Sequence, residues 1–225
     1  MLHAASLAFN QVFSKPFRGV FWKSLGLTLA LLALLWAGVQ ALLVSFVTVP
    51  YPWLETLIGL LSGVGMLIAL GFFIAPVTSI FAGIFLDEIA EQVEHRFYPQ
   101  DPAGKSMPII RSLGMTAKFL VVVIGVNIVA LVLFFVLGLG IPIFLIANGY
   151  LLGREYFELA AARFLPAEEA RALRRENALR VFLAGLVVAG FLAIPFLNLL
   201  TPLFATAFMV HVHKMISGSA RPVLE

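Results

Sequence analysis

No cysteine occurs in this chain, so disulfides and thiolate metal sites are excluded. Charge is scarce: 12% of the 225 residues are Asp, Glu, Lys or Arg, against about a quarter in a soluble domain. With 61% of residues hydrophobic, too little polar surface remains to cover a globule of this size, and the surplus must face lipid. A Gly-rich phosphate loop, a nucleophile–base pair and a metal-ligand spacing are also missing. No catalytic residue, cofactor or metal is therefore expected, and any transport is not driven by ATP bound to this chain. The formal net charge of +3 reads as contact with the anionic cytoplasmic face of a bilayer rather than with nucleic acid.

What the chain does have is long runs without charge. Stretches 24–54, 56–86, 119–153 and 181–213 lack Asp, Glu, Lys and Arg over 31, 31, 35 and 33 residues. A spanning helix needs about 20 apolar residues. Lys15, Arg18 and Lys23 precede the first run as the basic region of a secretory signal would. That run reaches Leu54, far past an apolar signal core of roughly 7–15 residues, so it is expected to be kept as an anchor.

Proline and glycine refine the count. The first run has no proline until Pro50 and Pro52, which predicts a full span over 24–46 and then a turn. The second carries Pro76 inside a length sufficient for a kinked span. The third is broken at Leu137-Gly-Leu-Gly-Ile-Pro142. Only 11 residues, about 16 Å of helix, separate that break from Arg154, against a hydrocarbon core of about 30 Å. Residues 119–138 are long enough to cross, but the short partner argues that they turn back. The fourth run divides likewise around Pro195-Phe-Leu-Asn-Leu-Leu-Thr-Pro202 into pieces of 14 and 11 residues, lengths typical of re-entrant segments.

All basic residues fall in 15–23, 96–118, 154–180 and 214–221, and the connectors 47–56, 138–142 and 195–202 hold none. Every basic cluster shares one face if each apolar unit goes in and returns, and the positive-inside rule makes that face cytoplasmic unless the chain inserts both ways. The expected fold is an all-α integral membrane protein with two long transmembrane helices, two half-penetrating helical hairpins and amphipathic interfacial helices. Its parts, within one membrane domain, are an interfacial helix at 1–14, a long hairpin with a helical extension at 16–97, and a first half-penetrating hairpin at 105–165. A polar interfacial helix at 167–176, a second half-penetrating hairpin at 177–216 and a tail at 217–225 complete it.

Three segments read as interfacial. Leu2, Phe9 and Val12 or Phe13 fall near one face of the first. In 86–97, Ile89, Val93 and Phe97 recur at i, i+4 and i+8, with the acids Asp87, Glu88, Glu91 and Glu94 as a solvated face. Residues 167–177, entered through Pro166, make an Arg-rich polar helix.

This layout resembles the CysZ-type sulfate permeases of bacterial inner membranes and their distant relatives among etoposide-induced membrane proteins. The resemblance rests on Lys15-Pro16-Phe17-Arg18 at the entry to the first long helix, on Phe72-Phe73 with the 86–97 segment, and on the 194–202 tip. It implies uptake of sulfate or sulfite for cysteine synthesis, in the inner membrane, by a homo-oligomer for which a hexamer and dual insertion are the forms suggested. The family's Gly-Leu-Arg type motif is replaced here by Pro16-Phe17-Arg18-Gly19. The arginine remains; the leading glycine does not.

The sulfate-binding candidates are therefore Lys15, Phe17, Arg18 and Gly19. A helix N-terminus offers free N–H groups and a positive dipole end, an arginine adds charge-assisted bonds, and Gly19 permits close approach. The competing reading is a basic side chain snorkelling at a membrane boundary. Arg154, Glu155, Asn148 and Asn198 form a second group, a pore lining or a structural polar network. For Arg154 and Glu155 a self-neutralising pair is favoured, and for Asn198, as for Asn127, a local cap. His211 and His213 point to different faces of a helix and are expected at the interface rather than on a metal. The competing function is a non-transporting membrane scaffold or lipid-interacting protein, which half-inserted hairpins and a basic helix would also suit.

Overall fold

A computed structural model describes residues 1–46, 51–54, 56–66, 68, 85–106 and 140–218. Pro50, Pro76, Asn127, the Phe72-Phe73 pair, the 119–138 stretch and the break at 137–139 lie outside the described residues. The chain divides into two compact units, Gly19–Ile84 and a second made of Met1–Arg18 with Phe85–Glu225.

The first unit is built on α2 (Lys15–Phe46), 32 residues that rise about 48 Å. It begins nine residues before the expected span, because Pro16 fits a first helical turn, where its missing N–H costs nothing. The stretch Lys15–Leu42 is long and apolar enough to cross a membrane, and only 11% of its most apolar window is buried. Trp22, Leu34, Leu35 and Leu42 stay exposed, a surface suited to lipid and not to water. Residues 56–66 are helical, and the Gln40 amide of α2 donates to the Ser62 hydroxyl, tying the two helices side by side.

The second unit contains α1 (Leu2–Val12), α3 (Leu86–Phe97), α4 (Gly140–Ala161), α5 (Ala167–Glu176), α6 (Ala178–Leu192), a 3-10 turn (Leu197–Leu200) and α7 (Thr201–Ile216). Its core is α7, in which every residue from Thr201 to Lys214 is buried. Leu197–Ile216 also passes the length test for a span, but 78% of its most apolar window is buried inside the protein. The neighbours of α7 are α1, α3, α4 and α6. Helix α1 presents Ala4, Ala8, Gln11 and Val12 to it. That overturns the expected face: Leu2, Phe9 and Phe13 are exposed, and of the expected set only Val12 is buried. Small alanines let the two backbones approach, which bulky side chains on that face would prevent. Helix α3 follows its period, with Ile89, Val93 and Phe97 buried.

The backbones of α4 and α6 meet at glycine. Gly149 and Gly153 stand four residues apart on α4, and Gly185 faces them from α6. A Cβ on Gly153 would lie 2.7 Å from the Val181 carbonyl oxygen, and one on Gly185 would lie 2.7 Å from the Gly153 Cα and collide with the Gly149 carbonyl. Gly149 meets Leu186 while Gly153 meets Val181, so the helices run antiparallel. This is the small-xxx-small contact by which membrane helices associate. The loop after α6 turns at Phe196, whose φ of 66° lies in the sparsely populated left-handed region. Phe191 of α6 stacks on Phe204 of α7 with ring centroids 4.3 Å apart and closes the neck of the hairpin. Helix α4 differs from expectation. It takes Pro142 into its first turn and runs through Arg154, Glu155 and Glu158 to Ala161, 22 residues in all.

Polar groups gather at one end of this unit. Arg163 donates through Nε to Glu94 Oε1 at 2.7 Å, through Nη2 to Glu94 Oε2 at 3.2 Å, and through Nη1 to Asp87 at 2.6 Å. The Gly104 N–H adds a bond to Glu94 at 3.0 Å. Burial opposes the Arg163 charge, but the Glu94 and Asp87 partners more than restore it and raise its pKa. Glu94 thus leaves the solvated face assigned to it, whereas Asp87 stays half-exposed and Glu91 remains exposed beside His95. His211 and His213 are buried in the core rather than at an interface. His211 bridges the Gln11 amide at 3.1 Å and the Tyr98 hydroxyl at 2.8 Å, and His213 stacks on Phe164. Lys214 pairs with Asp101 at 2.9 Å. Burial, then the Asp101 charge, pushes the Tyr98 hydroxyl pKa upward.

Two predictions follow from this packing, both read by thermal unfolding in detergent. Gly185→Ala overpacks the α4–α6 contact and lowers stability by roughly 1–3 kcal/mol. Gly190→Ala on the same helix, where the added methyl meets open space, is neutral or gains up to about 1 kcal/mol. Glu94→Ala leaves a buried guanidinium short of a partner and costs roughly 3–5 kcal/mol, whereas Glu91→Ala stays within about 0.5 kcal/mol.

Candidate functional site

The first turn of α2 holds the first candidate group. Ser14 precedes the helix, and its carbonyl accepts the Arg18 N–H at 3.0 Å. Pro16 has no N–H, so the turn offers fewer free backbone donors than an ordinary helix start. What it presents instead is side-chain charge. Lys15 and Arg18 are exposed and three residues apart, hence on one side of the helix, while Phe17 is buried and anchors the turn. No described atom lies within 4 Å of a Cβ built on Gly19, so the space beside it is open. The structure therefore brings Lys15, Arg18 and Gly19 to one accessible turn and gives Phe17 a packing role.

The second candidate group is divided. Arg154 does not pair with Glu155; its Nε lies 3.5 Å from Glu158 Oε1, one helical turn on. The reason is geometric: neighbours in a helix point about 100° apart, whereas i and i+4 share a face. Asn148 donates its amide to the Phe144 carbonyl of its own helix at 2.9 Å, a local bond that keeps it apart from Arg154. Asn198 sits in the 3-10 turn at the hairpin tip and accepts the Thr201 N–H through its carbonyl. Arg154 thus lies on α4 beside the start of α6, whereas Asn198 lies beyond the far end of α6, and the two do not form one network.

Glu158 is the centre of a cluster that sequence reasoning missed. Arg174 Nε stands 2.7 Å from Glu158 Oε1, and Arg171 Nε stands 3.9 Å from Oε2. Arg171 also pairs with the exposed Glu168 at 2.8 Å. Three guanidiniums thus share one buried carboxylate. The Arg174 contact is an ion pair whose N–H is not directed at the oxygen, so that donor is not spent on Glu158. The local origin of the cluster is plain. Helix α5 starts at Pro166 with Glu168 and Glu169 in its first turn and Arg174 and Arg175 in its last, a charge order that complements the helix dipole. It packs on α4 and α6, which carries its arginines over Glu158. Two signals were available in the sequence, the Arg154–Glu158 spacing of four and the run Arg171, Arg174, Arg175. Neither reveals that α5 folds back onto α4.

Beside this cluster lies a cleft of about 290 Å³, lined by Tyr150, Arg154, Arg174, Ala178, Leu179 and Phe182 among others. Its lining surface is mostly apolar, and Arg154 and Arg174 are its two charged residues. Among the described residues no three His, Asp or Glu side chains converge as a metal-ligand set.

Residues 4–202 match the family described as sulfate transporter CysZ/etoposide-induced protein 2.4. No curated protein matches the chain closely.

Proposed function

The chain belongs to the family of the sulfate transporter CysZ and etoposide-induced protein 2.4, and from that premise we propose that it carries sulfate, or sulfite, across a bacterial inner membrane to supply cysteine synthesis. The family match over residues 4–202 carries this reading. The membrane setting rests on the family and on α2, which has the length of a span and an apolar, largely exposed surface.

In the proposed arrangement α2 and the helix that follows it cross the bilayer, and the 105–165 and 177–216 hairpins enter and return. The length of α6 supports this for the second hairpin. From Val181 to the end of α6 at Leu192 is 12 apolar residues, about 18 Å, against about 30 Å of hydrocarbon. At the tip, Ile194 and Phe196 are exposed, which suits lipid. Two spans and two half-inserted hairpins do not enclose a pore alone, so the conduit requires a homo-oligomer, with a hexamer and dual insertion as the assembly to test. Lys15 and Arg18 receive the anion at the entry to α2, where two cations on one side of an open helical turn supply charge-assisted bonds to sulfate oxygens.

Uptake of labelled sulfate into proteoliposomes tests the function. The chain should take up sulfate above empty vesicles; folded protein with no such uptake would contradict the proposal. Arg18→Ala should weaken sulfate binding about 10- to 100-fold, measured by calorimetry, and unchanged affinity would remove Arg18 from the site.

A further inference from the structure

The cleft between α4 and the α5–α6 joint combines two properties that a free ion does not need together. Arg154 and Arg174 line part of it, in a cluster where three guanidiniums face one buried carboxylate. The rest is hydrocarbon, contributed by Ala178, Leu179 and Phe182 beside the Tyr150 ring. Leu179 is 69% exposed and Leu183, one turn further along α6, is 47% exposed, so an apolar strip leads out from the charged end.

A bare sulfate or phosphate in this cleft would meet donors on one side and carbon on the other, losing hydration on the carbon side without replacement. A zwitterionic lipid would bring its own cation against the guanidiniums. An anionic phospholipid matches both parts: its phosphate takes up the positive charge that Arg154, Arg171 and Arg174 keep beyond Glu158 and Glu168, and its chains cover the strip. The position along the chain agrees. Helix α5 is polar and α6 is apolar, and their junction at Asn177 is where the chain would pass from headgroups to hydrocarbon.

We propose that this cleft is a specific seat for an anionic phospholipid, with the phosphate between Arg154 and Arg174 and an acyl chain along Leu179 and Leu183. The seat depends on the membrane setting and not on sulfate transport, so it stands or falls separately from the flux.

Native mass spectrometry of the full chain in neutral detergent reads it directly, with phosphatidylglycerol and phosphatidylcholine of identical acyl chains as probes. Phosphatidylglycerol should be retained about tenfold better, and Arg174→Gln should remove most of that preference. Ala178→Trp, which fills the cleft and leaves every charge in place, should reduce phosphatidylglycerol retention by a similar factor and covers the case in which the arginine variant fails to fold. Arg175→Gln, on an exposed side chain that does not line the cleft, should change nothing. Equal retention of the two lipids would overturn the proposal. So would an equal loss from Arg175→Gln, which would mean diffuse surface charge, or complete displacement by millimolar inorganic phosphate or sulfate, which would mean an ion site.

Discussion

The close approach of α4 and α6 at Gly149, Gly153 and Gly185 is the contact on which the larger unit depends. Membrane helices gain little from hiding apolar surface, since lipid is as apolar as leucine, so association relies on packing and on polar contacts. Glycine lets the two backbones touch, and no side chain fits between them. Once α4 and α6 are antiparallel and in contact, the 16 residues from Ala162 to Asn177 must join the end of one to the start of the other. Helix α5 is folded back over α4 by that requirement. The return brings Arg171 and Arg174 to Glu158, a carboxylate that would otherwise be buried beside Arg154 alone.

The same geometry sorts polarity along the hairpin. Near the tip the contacts are aromatic, Phe191 on Phe204, and the exposed residues are Ile194 and Phe196. At the other end stand the Arg163–Glu94–Asp87 node, the His211 bridge between Gln11 and Tyr98, and the Lys214–Asp101 pair. A segment that crossed a bilayer completely would be expected to carry polar anchors at both ends. One polar end and one apolar end suit a hairpin that enters and returns. Charge, cleft and the candidate lipid seat then lie on the polar side together.

Much of this was legible in the chain itself. The charge-free runs, the proline positions, the 3.6-residue period of α3 and the Arg-rich helix after Pro166 rest on local rules, and α2, α3 and α5 follow them. The misses are tertiary. Period alone placed Glu94 with the solvated acids, because nothing near it announces Arg163, 69 residues away. The face of α1 was assigned to its largest side chains, while packing on α7 selected Ala4 and Ala8, the smallest. Arg154 and Glu155 were paired because they are adjacent, although helix geometry favours Glu158 four residues on. The Gly149-x3-Gly153 spacing was present as a packing signal, but its partner Gly185 lies on another helix and is revealed only by the fold. Lys15, Phe17, Arg18 and Gly19 were legible as the start of a helix; the proposal that they receive sulfate rests on the family rather than on the turn.

Half-insertion of the α6–α7 hairpin is the central physical claim, and the absence of native cysteine makes it measurable with single introduced thiols. The decisive probe is Phe196→Cys at the tip, compared with Glu176→Cys at the polar end, both treated with a membrane-impermeant maleimide in sealed vesicles and again after the vesicles are opened. With the tip ending in hydrocarbon, Glu176→Cys is labelled from the face it occupies and Phe196→Cys stays unlabelled from both faces. Labelling of Phe196→Cys from the face opposite Glu176→Cys would show that the hairpin crosses the bilayer and would contradict the account.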